Sequence, residues 1–241
     1  MKAVITCAGK GTRLLPFTKE LPKEMAPIFS LGENGIEIKP LIQQIFENLF
    51  TIGIREFCFI SGKTKRSLQD HFYPDQQQDI PPSLSNFYEM IINSQIAWIN
   101  QLIPKGFGDA VLESKSFVNN DVFLVQAGDV VISSQIHSSI NKLIELSKND
   151  DIEAAFLVQT VTDPERHGIV TTEKDESISL VTKVVEKPKD PETNIGIMPF
   201  YFFRSSIFDA LGSTTPGYGN EIQLTDAIEK LIESGKNVAA I

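Results

Sequence analysis

Short apolar runs alternate with longer helix-like stretches along most of this 241-residue chain. The runs AVITC (3–7), EFCFIS (56–61), DVFLVQAG (121–128), EAAFLVQTV (153–161) and PFYFF (199–203) are nearly continuous. Continuity of that kind marks strands covered on both faces. Between them lie PLIQQIFENLFTIG, TKRSLQDHF, GDAVLESKSFV and QIHSSINKLIELSKN. In the first, Leu41, Ile42, Ile45, Phe46 and Leu49 recur at helical spacing and Gly53 supplies a stop. Strands alternating with helices predict βαβ units, hence an α/β fold with a mixed, mainly parallel sheet flanked by helices.

The second half is less regular. Residues 168–188 alternate like two strands around a charged turn, which predicts a small antiparallel excursion. PDQQQDIPPS (74–83) reads as a polar, proline-bearing loop, and NFYEMIINSQ after it as an extra helix. With no internal repeat and no linker between apolar segments, residues 1–241 read as a single domain.

Charge narrows the choice of partner. Asp and Glu number 31 against 22 Lys and Arg, a formal net charge of -9. That excludes nucleic acid and an anionic membrane as main partners, because both reward a basic face. A small anionic ligand stays open where positive charge is concentrated locally. The first apolar run is too short for a secretory h-region or a membrane span, so cytoplasm is the expected compartment. Cys7 and Cys58 each lie toward the end of an expected strand and read as buried small hydrophobes rather than a disulfide or a reactive thiol. His71, His137 and His167 have no metal-ligand spacing.

Positive charge does gather in one place. CAGKGTRLLPFTKELPKEMAPI (7–28) follows the first strand and holds two glycines, four basic residues and three prolines. Strand, glycine turn, then helix is a standard way to present backbone N–H groups to phosphate. The dinucleotide fingerprint fits Gly9 and Gly11 but fails at its third glycine, where Leu14 stands. SGKT (61–64) looks like the end of a Walker A loop, yet Phe57 occupies the position of its first glycine, so it reads as an ordinary strand-to-helix turn. Taken whole, the opening stretch suits a triphosphate. Gly9 and Gly11 let the chain wrap it, Arg13 offers a planar fork, Lys23 adds a compact charge, and Pro16, Pro22 and Pro27 restrict the loop. A mobile loop with a solvated basic face is the alternative.

This stretch resembles the signature of sugar-1-phosphate nucleotidylyltransferases, most closely the bacterial-type UTP–glucose-1-phosphate uridylyltransferases. The resemblance continues in order through PKGFGDAVL (104–112), AGDVVI (127–132), DPERHGIV (163–170), VVEKP (184–188), TNIGI (193–197) and GNEIQLTDAI (219–228). It implies a Rossmann-like sheet of the nucleotide-diphospho-sugar transferase type. It also implies a Mg²⁺-assisted reaction in which a sugar 1-phosphate attacks the α-phosphorus of UTP and expels pyrophosphate.

By the same resemblance, Ala8, Gly9, Gly11 and Thr12 hold the nucleotide while Arg13 and Lys23 act on its phosphates. Gln101 reads the pyrimidine edge, with Gly106 as backbone partner, and Asp129 binds the metal. Gly168, Glu186, Lys187 and Asn194 receive the sugar phosphate. Plainer readings stand beside these. Gln101 could be a solvated strand-end residue, Asp129 a helix cap, and Asn194 turn chemistry. Strand alternation puts Glu186 and Lys187 on opposite faces unless the backbone bends at Pro188. GNEIQLTDAIEKLI reads mainly as a packed helix with Asn220 as N-cap, leaving Glu221 and Asp226 without a role.

Two departures from the family pattern appear. Pro199 stands where the pattern has glycine, and the chain ends at NVAAI, before the segment that supplies a second metal ligand and the C-terminal helix used in assembly. Two rivals therefore remain: a thymidylyl-, cytidylyl- or adenylyltransferase, and a nucleotide-sugar-binding protein with little catalysis. A homo-oligomer, dimer or tetramer, is left open.

Overall fold

A computed structural model describes residues 1–32, 35–63, 65–74, 80–132, 137–175 and 178–241. The chain divides into two compact units, Met1–Pro104 with Ala127–Ile132, and Lys105–Gln126 with Ser133–Ile241. Among the described residues, no helix is long and apolar enough to cross a membrane.

The first unit begins with β1 (Lys2–Cys7), a hairpin of β2 (Pro27–Gly32) and β3 (Gly35–Pro40), and α1 (Leu41–Thr51). Then come β4 (Glu56–Ser61), α2 (Arg66–His71), α3 (Pro82–Ile92) and β5 (Gln95–Asn100). β1 pairs in parallel with β4, and β4 with β5, so that Cys7, Ser61 and Asn100 lie in one row at the carboxyl edge. All six residues of β1 are buried, as its unbroken apolar run predicts. Gly53 ends α1 at φ 98, the left-handed region where glycine is favoured. Between α1 and the strands, Phe46 lies 4.6 Å from Phe57, 5.2 Å from Phe72 and 5.8 Å from Phe87, ring centroid to centroid. Trp98 stacks on Phe59 at 4.5 Å. Such pairs add about 0.5–1.5 kcal/mol each beyond area burial, so this cluster fixes α1, α2 and α3 against the parallel strands.

The hairpin and β5 do not follow from the sequence pattern. QIAWIN comes after α3 with only Asn93 and Ser94 between them, so its apolar residues merge with the helical pattern before them. The extra helix itself is present as α3, and residues 75–79 of the preceding loop lie outside the described residues.

The second unit contains α4 (Phe107–Leu112), α5 (Lys115–Val118), β6 (Phe123–Ala127), α6 (His137–Leu146) and β7 (Ile152–Thr160). It continues with β8 (Gly168–Asp175), β9 (Ile178–Glu186), β10 (Ile195–Phe203), α7 (Ser206–Ser213), α8 (Leu224–Glu233) and β11 (Asn237–Ala240). Its strand order is β6-β10-β7-β11-β9-β8. β11 runs parallel to β7, whereas β10 is antiparallel to both β6 and β7. β8 and β9 form the expected antiparallel excursion, with residues 176–177 of its turn outside the described residues. The mixed α/β class therefore holds.

Two local readings change. The helix expected over 108–118 is two pieces, and the Ser114 hydroxyl at the break donates to the Val111 carbonyl at 2.6 Å. Asn220 is not an N-cap: it closes a 3-10 turn (Tyr218–Asn220) at φ 58, and α8 begins only at Leu224. Ile222 is held before the helix, its N–H donating to the Lys105 carbonyl at 2.7 Å while its carbonyl accepts from the Gly108 N–H at 2.9 Å. Pro199 falls where the β10–β7 register shifts between Ile197 and Tyr201. A residue without an N–H costs no ladder bond at such an irregularity.

Candidate active site

In the first unit, the carboxyl ends of three parallel strands deliver the loops after Cys7, Ser61 and Asn100 to one edge, the usual ligand edge of an open α/β sheet. A cavity of about 300 Å³ lies there, lined among others by Ala8, Gly9, Lys23, Gly62, Lys65 and Gln101. A Cβ on Gly9 would stand 3.1 Å from Lys23 Nζ, so bare backbone is what lets that ammonium approach the turn. Gly11 takes φ 65, and its carbonyl accepts the Thr18 hydroxyl at 2.7 Å, which ties the loop to itself across seven residues.

The turn Lys23–Met25 sends consecutive side chains in opposite directions. Lys23 Nζ reaches Asp129 Oδ2 at 2.5 Å. Glu24 turns inward and is fully buried, each of its carboxylate oxygens accepting from Lys65 Nζ at 2.8 Å. Burial pushes the Glu24 carboxyl above its ordinary range, and the Lys65 ammonium works against that shift. Gly128 donates its N–H to the Thr6 carbonyl at 2.9 Å, and a Cβ there would meet Cys7 Sγ at 2.6 Å. The Asp129 turn is thereby pressed onto β1. Burial raises both thiols, Cys58 to about 12, so neither cysteine is poised to react.

Gln101 is 2% exposed, which removes the solvated strand-end reading. Asp129 is paired with Lys23 and stands well ahead of α6, which begins at His137, so it is not that helix's cap. Thr12 and Arg13 lie in an exposed 3-10 turn and do not line the cavity.

The second unit holds a separate cluster. Gly168 pairs across the ladder with Glu186, and a Cβ on it would stand 2.7 Å from Thr225 Cγ2. The Thr225 hydroxyl donates to Glu186 Oε2 at 3.0 Å, while Lys187 Nζ stands 2.9 Å from Glu186 Oε1. The backbone does bend, one residue before Pro188: Lys187 itself has φ 44, which brings its side chain back toward Glu186. Asp226 is raised by burial and then by the negative charge of Glu186. Asn194 is exposed, its carbonyl accepting from the Val161 N–H, and no hydrogen bond links its side chain to this cluster among the described residues. Gly106 has φ 125, and a Cβ on it would lie 2.6 Å from the Ile222 carbonyl oxygen.

The profile of the nucleotidyl transferase family matches residues 2–241. The chain belongs to that family. A UTP–glucose-1-phosphate uridylyltransferase of Staphylococcus epidermidis is 36% identical over 95% of this chain and 81% of its own length. One of Streptococcus pneumoniae is 35% identical over 95% of this chain and 79% of its own. A crystal structure of UDP-glucose pyrophosphorylase complexed with UDP-glucose superimposes with a TM-score of 0.86 at 29% identity, covering 99% of this chain and 89% of that one.

In this nucleotidyl transferase, sequence patterns alone do not single out Glu24, Lys65 and Gly62. SGKT lacks the first Walker A glycine and reads as a plain turn, yet Gly62 and Lys63 line the same cavity as Gly9; Thr64 lies outside the described residues. The usable signal is position: the motif ends a strand parallel to β1. Thr225 lies inside the GNEIQLTDAI block and Tyr218 just before it, but neither is singled out in sequence; they meet Glu186 and Lys187 respectively.

Proposed function

We propose that the chain transfers the uridylyl group of UTP to glucose 1-phosphate, giving UDP-glucose and pyrophosphate. The observation that carries this reading is the Lys23–Asp129 pair beside a glycine-lined cavity, in a chain whose relatives are named for that reaction. A phosphate oxygen of glucose 1-phosphate forms the new bond to the α-phosphorus. The bond from that phosphorus to the bridging oxygen breaks, and pyrophosphate leaves with the electron pair. The nucleophile is already an anion, so no general base is needed and positioning with charge neutralisation supplies the catalysis.

Ala8, Gly9, Gly11 and Thr12 are assigned to the nucleotide, with Arg13 and Lys23 as its phosphate cations. The buried amide of Gln101 can both donate to and accept from the uracil edge, and Gly106 is assigned to the base through its backbone. Asp129 suits Mg²⁺, which commonly takes one or two carboxylates together with substrate phosphates. Among the described residues no group of three or more His, Cys, Asp or Glu converges to hold a metal without substrate. When bound, the ion would neutralise charge on the triphosphate. Lys187 is assigned to the sugar phosphate and Glu186 to sugar hydroxyls, with Gly168 and Asn194 alongside.

A matrix of nucleoside triphosphates against sugar 1-phosphates tests the assignment. UTP with glucose 1-phosphate is expected to give the highest turnover; a faster dTTP, CTP or ATP reaction would move the chain elsewhere in its family.

A further inference from the structure

Tyr218 is 56% exposed. Lys187 Nζ lies 4.7 Å from the centre of that ring, within the range of a cation–π contact. We propose that Tyr218 is a positioning residue for Lys187, keeping its ammonium at the sugar-phosphate site when the Lys187–Glu186 pair opens. This rests on the assignment of Lys187 and Glu186 to the sugar phosphate.

The main chain of Lys187 is fixed, its N–H donating to the His167 carbonyl at 3.0 Å. Its side chain is not, because a flexible four-carbon stem separates the ammonium from that anchor. Glu186 holds it at 2.9 Å, and the other Glu186 oxygen is occupied by the Thr225 hydroxyl. An arriving phosphate competes with Glu186 for the ammonium, while sugar hydroxyls compete for the carboxylate. Glu186 therefore lets go when the ligand binds. The ring face does not have to, since a phosphate anion has no attraction to the negative face of an aromatic ring.

The ring is held from its backbone. The Gly217 N–H donates to the Glu221 carbonyl at 2.9 Å, the Asn220 N–H to the Gly217 carbonyl at 3.0 Å, and Gln223 Nε2 to the Tyr218 carbonyl at 3.0 Å. Gly217 in turn leaves room for the Asp226 carboxylate, which a Cβ would strike. A side-chain replacement at 218 leaves these bonds in place.

The test compares Tyr218→Ala, Tyr218→Leu and Tyr218→Phe in the full chain, following pyrophosphate release with each substrate varied at saturation of the other. Ala and Leu are expected to raise KM for glucose 1-phosphate about fivefold, as an exposed-to-half-buried cation–π contact allows. KM for UTP and the thermal midpoint should stay in place, and Phe should restore the sugar-phosphate KM. On a Lys187→Ala background, Tyr218→Ala should add no further increase. Unchanged KM for glucose 1-phosphate in both Ala and Leu, or a Phe variant as impaired as Ala, overturns the proposal. A Lys187→Ala variant with wild-type KM for glucose 1-phosphate instead overturns the assignment beneath it, and the proposal with it.

Discussion

The Lys23 ammonium and the Asp129 carboxylate, 106 residues apart in sequence, meet at 2.5 Å beside the cavity. Both side chains are partly exposed, and pairs of that kind contribute about 0–1 kcal/mol to stability. Their proximity serves the ligand more than the fold. Asp129→Asn should lower turnover by about a hundredfold or more while thermal unfolding barely moves. Parallel measurement of pyrophosphate release and melting checks both halves.

The buried Glu24–Lys65 pair behaves in the opposite way. Glu24→Gln leaves the Lys65 ammonium buried without its counter-charge, which should cost about 3–5 kcal/mol in urea denaturation. Replacing both, as Glu24→Leu with Lys65→Met, should recover most of that loss.

Two glycines separate backbone need from helix propensity. Gly106→Ala forces a Cβ to within 2.6 Å of the Ile222 carbonyl at φ 125, and should destabilise by about 1–3 kcal/mol. A Cβ on Gly212, inside α7, would meet nothing within 4 Å, so Gly212→Ala should stabilise by about 0.5–1 kcal/mol. Denaturation midpoints of the two variants check the contrast.

His71 supplies a pH dependence. Its ring stacks on Phe87 at 5.2 Å, its Nε2 lies 3.0 Å from Gln43 Oε1, and burial lowers its pKa below the ordinary 6.5. The unfolded chain then takes up the proton first as pH falls through about 6.5. The stability from neutral His71 is complete above that value and declines toward the lower folded-state pKa. Wild type should lose more stability between pH 7.5 and 5.5 than His71→Phe does.

Strands buried on both faces are legible in the sequence because their apolar runs are continuous, as in β1 and β4. β5 is not, since QIAWIN adjoins α3 and the two periods blur. In the site, Lys23 is marked by the basic glycine stretch and Asp129 by the strand end before it, whereas Gln101 is singled out only by the family resemblance. The Glu24–Lys65 pair is not, because its partners lie 41 residues apart and only tertiary packing joins them. Lys187 shows the limit of alternation: a strand continued through it would point its side chain away from Glu186, but its φ of 44 reverses that direction.

The central claim is tested most directly by incubating the purified chain with Mg²⁺, UTP and glucose 1-phosphate and measuring pyrophosphate and UDP-glucose together. The account predicts equal amounts of both products, and none when glucose 1-phosphate or the metal is withheld. Absence of pyrophosphate with every nucleoside triphosphate and sugar 1-phosphate pair would contradict it.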